Sequence, residues 1–267
     1  MTHGRLLGRK RRRMYFTQFP INMTRRESRK LLASPYMMHA AVAGSFPPDS
    51  AGDLQENGRV LWRVDRLREG GSRLYIVSPR MPSLIGLDEQ IGWPDCDAQW
   101  GTREYDLFLA RISPGQMYSF RLVANPTVSR STRAGQTDIA DSKGKSKRIG
   151  HLTVVQQAAW LVGRQAYEGS NAPVPKLFAD SQDSRAQRNG FEVVANQSGI
   201  PNLVVSNSQK LVFSKGSHGK TITLMRAQFD GVLRVVDADA LRHALVNGIG
   251  HGKAFGCGLL TLVPFGA

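Results

Sequence analysis

Cysteine is scarce in this chain of 267 residues, which contains only Cys96 and Cys257. The two are too few and too far apart for a disulfide framework or a zinc-ligand spacing. The six histidines have no spacing with carboxylates or cysteines that would hold a metal, so a metal hydrolase is disfavoured. We predict no metal, no cofactor and a reducing, cytoplasmic compartment.

Long apolar runs are also missing. No stretch approaches the roughly 18 residues of a membrane span. The Arg-rich start lacks the apolar core of a signal peptide, because polar residues and Pro20 interrupt it. A composition of 41% hydrophobic and 21% charged residues is typical of a globular protein with one large or two small domains.

Acidic residues are few relative to basic ones, at 21 Asp and Glu against 36 Lys and Arg, which gives a net charge of +15. Six of the basic residues lie in 1–13, and removing them still leaves +9. Such an excess favours a polyanionic partner through counterion release. We interpret 1–13 as a basic, disordered extension or as the product of an upstream start codon.

The order of predicted elements indicates two α+β units, 14–113 and 114–267. The first unit is predicted to contain strand 14–21, a helix 36–43 that Ser34 caps and Pro35 opens, a hairpin of 59–64 with 74–77, and strand 105–111. The second is predicted to contain strand 117–124, helix 153–167, a surface loop 171–190, strands 191–195 and 221–236, and a helix that Asp237 caps. Each unit would cover one face of an antiparallel sheet with helices.

A glycine-rich loop, 248–258, lies between the last predicted helix and the apolar run 259–263. Its candidate RNA-binding residues are Gly248, Gly250, Gly252, Lys253, Gly256 and Gly258. Uncovered backbone N–H groups can surround a phosphate, although a flexible connector is the alternative. Ala254 follows Lys253 where a P-loop needs Ser or Thr, and the loop follows a helix rather than a strand, so an ATPase and a dehydrogenase are disfavoured. The net charge favours RNA as the polyanion.

Two further basic segments are candidates for RNA contact. The first follows the first predicted strand and leads into Leu31-Leu32, ahead of the predicted helix 36–43, with Arg25, Arg26, Arg29 and Lys30. The second lies in 127–148, with Arg130, Arg133, Lys143, Lys145, Lys147 and Arg148. The second is either a solvated loop or a finger that grips a phosphate backbone and orders on binding.

Tyr36 and His39 are the candidate catalytic residues. Three positions apart on a short helix, they share one face. An imidazole titrates near neutrality and can pass a proton to or from ribose oxygens, whereas a merely packed or exposed histidine is the alternative. The other histidines receive no role.

Seven segments carry a resemblance to a known family: 15–22, 29–35, Tyr36-x-x-His39, Phe46-Pro47, Phe120-Arg121-Leu122-x-Ala124-Asn125-Pro126, Lys147-Arg148-Ile149 and 248–262. Together they resemble the CasE (Cse) family, the repeat-RNA endoribonucleases of type I-E CRISPR systems. The resemblance covers almost everything from Met14 onward.

The resemblance implies two tandem ferredoxin-like (RRM-type) domains with antiparallel sheets and a C-terminal glycine-rich loop. It implies metal-independent cleavage of precursor CRISPR RNA at the base of the repeat stem-loop, by an enzyme that retains its product in the Cascade complex. We expect a monomer outside that complex. By matching position, His39 would be the catalytic histidine, Tyr36 its partner, 248–258 the RNA-contacting loop and 130–148 the stem-gripping hairpin.

The expected reaction is attack of a ribose 2′-OH on the adjacent phosphorus, giving 2′,3′-cyclic phosphate and 5′-hydroxyl ends. Whether His39 acts as acid or base stays open, and a non-catalytic RNA-binding scaffold of the same fold is the alternative function. This sequence departs from the family pattern in one respect. Some relatives have a basic residue about one helical turn after the histidine, whereas residues 40–44 of this chain include none. Arg29, Lys30 or Arg148 are the candidates to replace it.

Overall fold

The computed structural model of the chain describes residues 13–47, 59–67, 70–94, 100–129, 148–163, 184–197, 199–216 and 219–266. Within these ranges the strands form a four-stranded sheet, a five-stranded sheet and a short two-stranded sheet. No helix in them is long and apolar enough to cross a membrane. Of the predicted basic extension only Arg13 is described, and it pairs with Glu104 at 3.3 Å between exposed side chains.

The first unit builds the four-stranded sheet and the helices around it. Its elements are β1 (Tyr15–Ile21), α1 (Arg26–Ala33), α2 (Pro35–Ala43), β2 (Leu61–Arg66), β3 (Ser72–Ser78), α3 (Ile85–Ile91), β4 (Gly101–Glu104) and α4 (Asp106–Ala110). The strand order is β2-β3-β1-β4, with every neighbouring pair antiparallel. This order, with helices after the first and third strands, is the ferredoxin-like arrangement.

The second unit repeats the arrangement with insertions. Its elements are β5 (Met117–Ala124), β6 (Thr127–Ser129), β7 (Arg148–Gly150), α5 (Val154–Val162), α6 (Arg185–Arg188), β8 (Phe191–Val193), β9 (Leu203–Ser214), β10 (Thr221–Val235), α7 (Ala238–Asn247), a 3₁₀ turn (Lys253–Phe255) and β11 (Leu260–Pro264). The sheet order β11-β5-β10-β8 matches that of the first unit, and β9 is an additional strand on β10. The predicted fold class is therefore confirmed, while the exact domain limits, 14–113 and 114–267, stay a prediction.

Strand β2 contacts both units because its alternate residues face opposite sides. Trp62 lies in the core between the first sheet and its helices, in one cluster with Met38 and Val42 of α2. Leu61 lies in a second cluster, most of whose members, such as Leu259, belong to the second unit. The two units therefore share buried apolar surface at this strand.

The prediction of a strand at 105–111 is wrong. Strand β4 ends at Glu104, and 106–110 form the helical turn α4. Tyr105 and Leu109 are both buried, which is a helical spacing, while Leu107 is 65% exposed. The Asp106 carboxylate also accepts a hydrogen bond from the Met14 backbone N–H at 2.8 Å, which fixes the start of this turn.

Other elements differ from the predictions in extent. Helix α5 covers 154–162, and the predicted residues after 163 lie outside the described ranges. The predicted surface loop 171–190 ends in a short helix, α6, because the Ser184 side chain caps it by accepting from the Gln187 N–H. Helices α1 and α3 were not predicted, since their apolar residues are too few for a clear period, and β9 was not predicted because a polar stretch separates its apolar ends, 203–205 and 211–213.

Candidate functional site

Helix α2 positions Tyr36 and His39 as the sequence predicts. The Ser34 hydroxyl accepts from the Met37 N–H at 3.3 Å, and Pro35 occupies the first helical position. Met38 and Val42, four residues apart, are buried in the first unit's core. Tyr36 and His39 are therefore left half-buried on another face of the helix.

The His39 ring faces the second unit across the junction. Its centroid lies 6.3 Å from that of Phe255 in the 3₁₀ turn, with the ring planes at 69°. Phe255 in turn contacts Phe213 of β9, with centroids 4.9 Å apart. One histidine thus lies where the helix of the first unit, the glycine-rich loop and strand β9 come together.

Two effects lower the pKa of His39 below its ordinary value of 6.5. Burial is the larger, because it disfavours the charged imidazolium, and the positive charge of Lys215 adds to it. The neutral ring is therefore favoured near pH 7. A neutral imidazole can accept a proton from a hydroxyl group.

The glycines of loop 248–258 are explained by conformation and close packing. All five have positive φ, between 75° and 94°. A Cβ on Gly256 would lie 2.8 Å from the Trp62 ring, one on Gly250 3.1 Å from the Trp160 ring, and one on Gly248 2.9 Å from Leu61. Side chains at these positions would be both strained and obstructed, whatever the loop binds.

The loop is also held by its own backbone hydrogen bonds. Ile249 N–H donates to Gly258 O at 2.9 Å, Gly258 N–H to Val123 O at 2.6 Å, and Phe255 N–H to Gly252 O at 2.8 Å. A bridge between Asn125 and His251 joins it to the end of β5. The loop is therefore a fixed turn of chain, and its predicted contact with phosphate stays a prediction.

Lys253 is the cation within this loop. It is half-buried at the start of the 3₁₀ turn, and burial, followed by the positive charge of Arg59, lowers its pKa. In the described part of the chain, no three His, Cys, Asp or Glu side chains are grouped so as to hold a metal ion.

The family model for "CRISPR associated protein" matches residues 14–264 of this chain. The chain belongs to this family. It is 26% identical over 262 residues to the CRISPR-associated endoribonuclease Cse3 of Thermus thermophilus. This match covers 94% of this chain and 100% of the relative. It is 27% identical over 234 residues to the Cascade subunit CasE of Escherichia coli, covering 86% and 92% respectively.

A solved structure is also similar to this CRISPR-associated protein. The complex of Thermus thermophilus Cse3 with an RNA representing a pre-cleavage complex has a TM-score of 0.67 and 25% sequence identity, and covers 94% of this chain and 100% of that one. The resemblance to the CasE family is confirmed.

The predicted basic residues of α1 lie on the surface of this CRISPR-associated protein. Arg26, Arg29 and Lys30 are exposed, because Ser28 and Leu31 form the buried face of the helix. Lys30 pairs with Glu27 at 2.5 Å, and the guanidinium of Arg25 donates to the Glu89 carbonyl. The Glu27 carboxylate compensates part of the Lys30 charge, and the Glu89 carbonyl occupies one donor of Arg25. The RNA-binding role of these residues stays a prediction.

The predicted basic finger falls almost entirely outside the described residues. Arg130, Arg133, Lys143, Lys145 and Lys147 lie in the gap from 130 to 147. Arg148 begins β7, which pairs with β6 through Ser129. The short antiparallel pair shows that the two ends of this segment come together.

Three residues near His39 were missed by the sequence analysis: Phe213, Lys215 and Phe255. Phe255 lay within the glycine-rich loop, but no pattern linked its ring to the histidine. A weak signal existed for the other two, since Leu211, Phe213 and Lys215 alternate before Gly216 as in a strand that ends in a turn.

Proposed function

We propose that this protein is an endoribonuclease that cleaves precursor CRISPR RNA at the base of the repeat stem-loop and retains the product as part of Cascade. Its relatives are named as an endoribonuclease, Cse3, and as a Cascade subunit, CasE. The observation that carries the proposal is the placement of a half-buried His39, with a lowered pKa, opposite the glycine-rich loop at the junction of the two units. A newly made transcript as substrate implies a cytoplasmic location.

The proposed reaction uses the RNA's own hydroxyl group as nucleophile. The ribose 2′-oxygen bonds to the adjacent phosphorus, and the bond from phosphorus to the 5′-oxygen breaks. The products are a 2′,3′-cyclic phosphate and a 5′-hydroxyl. These steps need no metal, because the proton movements are within the reach of an imidazole.

His39 is suited to begin this reaction as the base. Its lowered pKa keeps the imidazole neutral, so it can take the proton from the 2′-hydroxyl as that oxygen attacks. Tyr36, one turn earlier on the same face of α2, would orient the 2′-oxygen through its hydroxyl. The departing 5′-oxygen then receives a proton, for which the newly formed imidazolium is a donor.

Cleavage by the parent and the His39→Ala variant in EDTA tests the proposal with a repeat stem-loop RNA. We expect site-specific cleavage by the parent and a fall of about 10²- to 10⁴-fold for the variant, which is typical of a lost general acid or base. RNA binding by the variant should persist. His243→Ala is the matched control, because His243 is exposed on α7 and contacts Asn247.

A second RNA with a single 2′-deoxy nucleotide before the scissile phosphate tests the nucleophile. It should bind and remain uncut. Cleavage of this RNA would contradict the 2′-OH mechanism. Binding without any cleavage of the all-ribose RNA by the parent would instead favour the non-catalytic scaffold.

A further inference from the structure

The reaction proposed above places extra negative charge on the phosphate as the fifth bond to phosphorus forms. A fixed positive charge beside that phosphate lowers the barrier. Helix α2 offers none after His39, since 40–44 are Ala-Ala-Val-Ala-Gly. Lys30, one of the predicted replacements, is engaged with Glu27 at 2.5 Å.

Strand β9 brings another cation to the same place. Residues two apart in a strand share a face, so Leu211, Phe213 and Lys215 follow one another along one side of the strand and its end. Leu211 and Phe213 pack against the same small buried cluster as Phe255, and the Phe213 ring contacts the Phe255 ring, which in turn contacts His39. Lys215 is the first residue after the strand, two positions beyond Phe213, and so lies at the end of β9 that reaches the His39 side of the junction.

The hairpin between β9 and β10 fixes the position of the Lys215 backbone. Ser214 pairs with Thr221 of β10, and the Lys215 N–H donates to the Lys220 carbonyl at 3.4 Å. The backbone of Lys215 is thus held by the hairpin, while its side chain is exposed. A lysine has three donors on a flexible stem, which suits contact with a phosphate that arrives with the substrate.

We propose that Lys215 contacts the scissile phosphate and supplies the positive charge that helix α2 lacks. This assignment rests on the proposed function, because it concerns the same reaction. It makes the site composite, with the proton-transfer group from the first unit and the charge-stabilising group from the second.

The electrostatics of His39 support this placement independently. After burial, the positive charge of Lys215 is the second cause that lowers the pKa of His39. Helix α1, the 3₁₀ turn and β9 pack against α2, and their charged groups are Arg26, Glu27, Arg29 and Lys30 on α1, Lys253 in the 3₁₀ turn, Lys210 on β9 and Lys215 just after it. Lys253 is half-buried beside the positive charge of Arg59, whereas Lys215 is exposed.

Single-turnover cleavage at saturating protein separates this role from RNA binding. We expect Lys215→Met to cleave about 10²- to 10³-fold more slowly, on the scale of a lost charge-stabilising donor, with RNA affinity changed much less. Lys215→Arg should recover most of the rate, because it keeps the charge. Lys210→Met is the control, since Lys210 is exposed on the opposite face of β9.

The pH dependence of the rate gives a second readout that a purely structural role would not move. The rate should rise with pH as His39 loses its proton. Removing the positive charge of Lys215 raises the His39 pKa, so this rise should shift to higher pH in Lys215→Met and stay in place in Lys210→Met.

Three results would overturn the assignment of Lys215: a rate within twofold of the parent for Lys215→Met, an equal loss in Lys210→Met, or no recovery in Lys215→Arg. A parent that fails to cleave, or a His39→Ala variant that cleaves equally, would instead refute the proposed function and this assignment with it. If His39→Ala is inactive and Lys215→Met is normal, the Lys215 assignment alone fails.

Discussion

Arg63 of β2 is a buried charge that joins the two units, and replacing it is expected to destabilise the protein strongly. Its side chain is 2% exposed. The guanidinium makes two hydrogen bonds to the Asp65 carboxylate, at 2.7 and 2.9 Å. Its remaining donors reach the second unit: Arg121 O and Leu259 O, each at 2.9 Å, and Thr261 Oγ1 at 2.8 Å.

The expected loss follows from what Arg63→Met leaves behind. Among the residues that the structure describes, Asp65, whose side chain is 5% exposed, then keeps only a long contact with Arg121, at 3.4 Å. The carbonyls of Arg121 and Leu259 lose their contacts with the guanidinium. Removing one partner of a buried ion pair costs about 3–5 kcal/mol, because the other charge stays buried and uncompensated.

Urea unfolding of Arg63→Met against the parent measures this loss. Arg234→Met is the control, since Arg234 pairs with Glu192 at 3.1 Å between side chains that are 49% and 43% exposed, and such pairs contribute about 1 kcal/mol or less. The double variant Arg63→Met with Asp65→Leu should recover part of the stability, because it removes both charges. A loss for Arg63→Met no larger than that of the control would refute the reasoning.

Two further predictions concern the glycine-rich loop and a buried histidine. Gly256→Ala should lower the free energy of unfolding by about 2–4 kcal/mol, since a positive φ of 76° and a Cβ 2.8 Å from Trp62 both oppose it. Gly115→Ala, at φ 86° with nothing within 4 Å, should show only the backbone cost, and equal losses would contradict the packing argument. Burial and then the positive charge of Arg185 lower the pKa of His151 to about 4. Between about pH 6.5 and 4 the unfolded chain therefore binds a proton on His151 that the folded chain does not bind. The free energy of unfolding should fall by about 3 kcal/mol over this range as the pH is lowered. Replacing His151 with Gln should reduce this pH dependence, whereas an unchanged profile relative to the parent would refute the assignment.

Local patterns predicted the parts of the site that depend on local structure. Ser34 and Pro35 fix the start of α2 by capping and by a preset φ, so the shared face of Tyr36 and His39 could be predicted from neighbouring residues alone. Asp237 caps α7 by accepting from Asp239 and Ala240, which places the glycine-rich loop after a helix as expected. The order of strands and helices predicted two α+β units of similar order, and the resemblance to the CasE family implied that these units are ferredoxin-like.

Contacts between distant segments could not be predicted in this way. Nothing near His39 in the sequence indicates Phe255 or Lys215, because that contact depends on how the two sheets pack. The glycines were interpreted as leaving N–H groups open for phosphate, but a Cβ on Gly256, Gly250 or Gly248 would meet Trp62, Trp160 or Leu61 respectively. A glycine needed for tertiary packing and one needed for a ligand look the same in a single sequence.

Strand β2 explains how one site can be assembled from both units. Its consecutive residues alternate in direction, so Trp62 packs with Met38 and Val42 beneath the helix that carries His39, while Arg63 binds the carbonyls of β5 and the chain entering β11. Trp62 also lies against Gly256, one residue after Phe255. The helix and the loop are therefore held by neighbouring residues of a single strand, so the proposed site draws on both units.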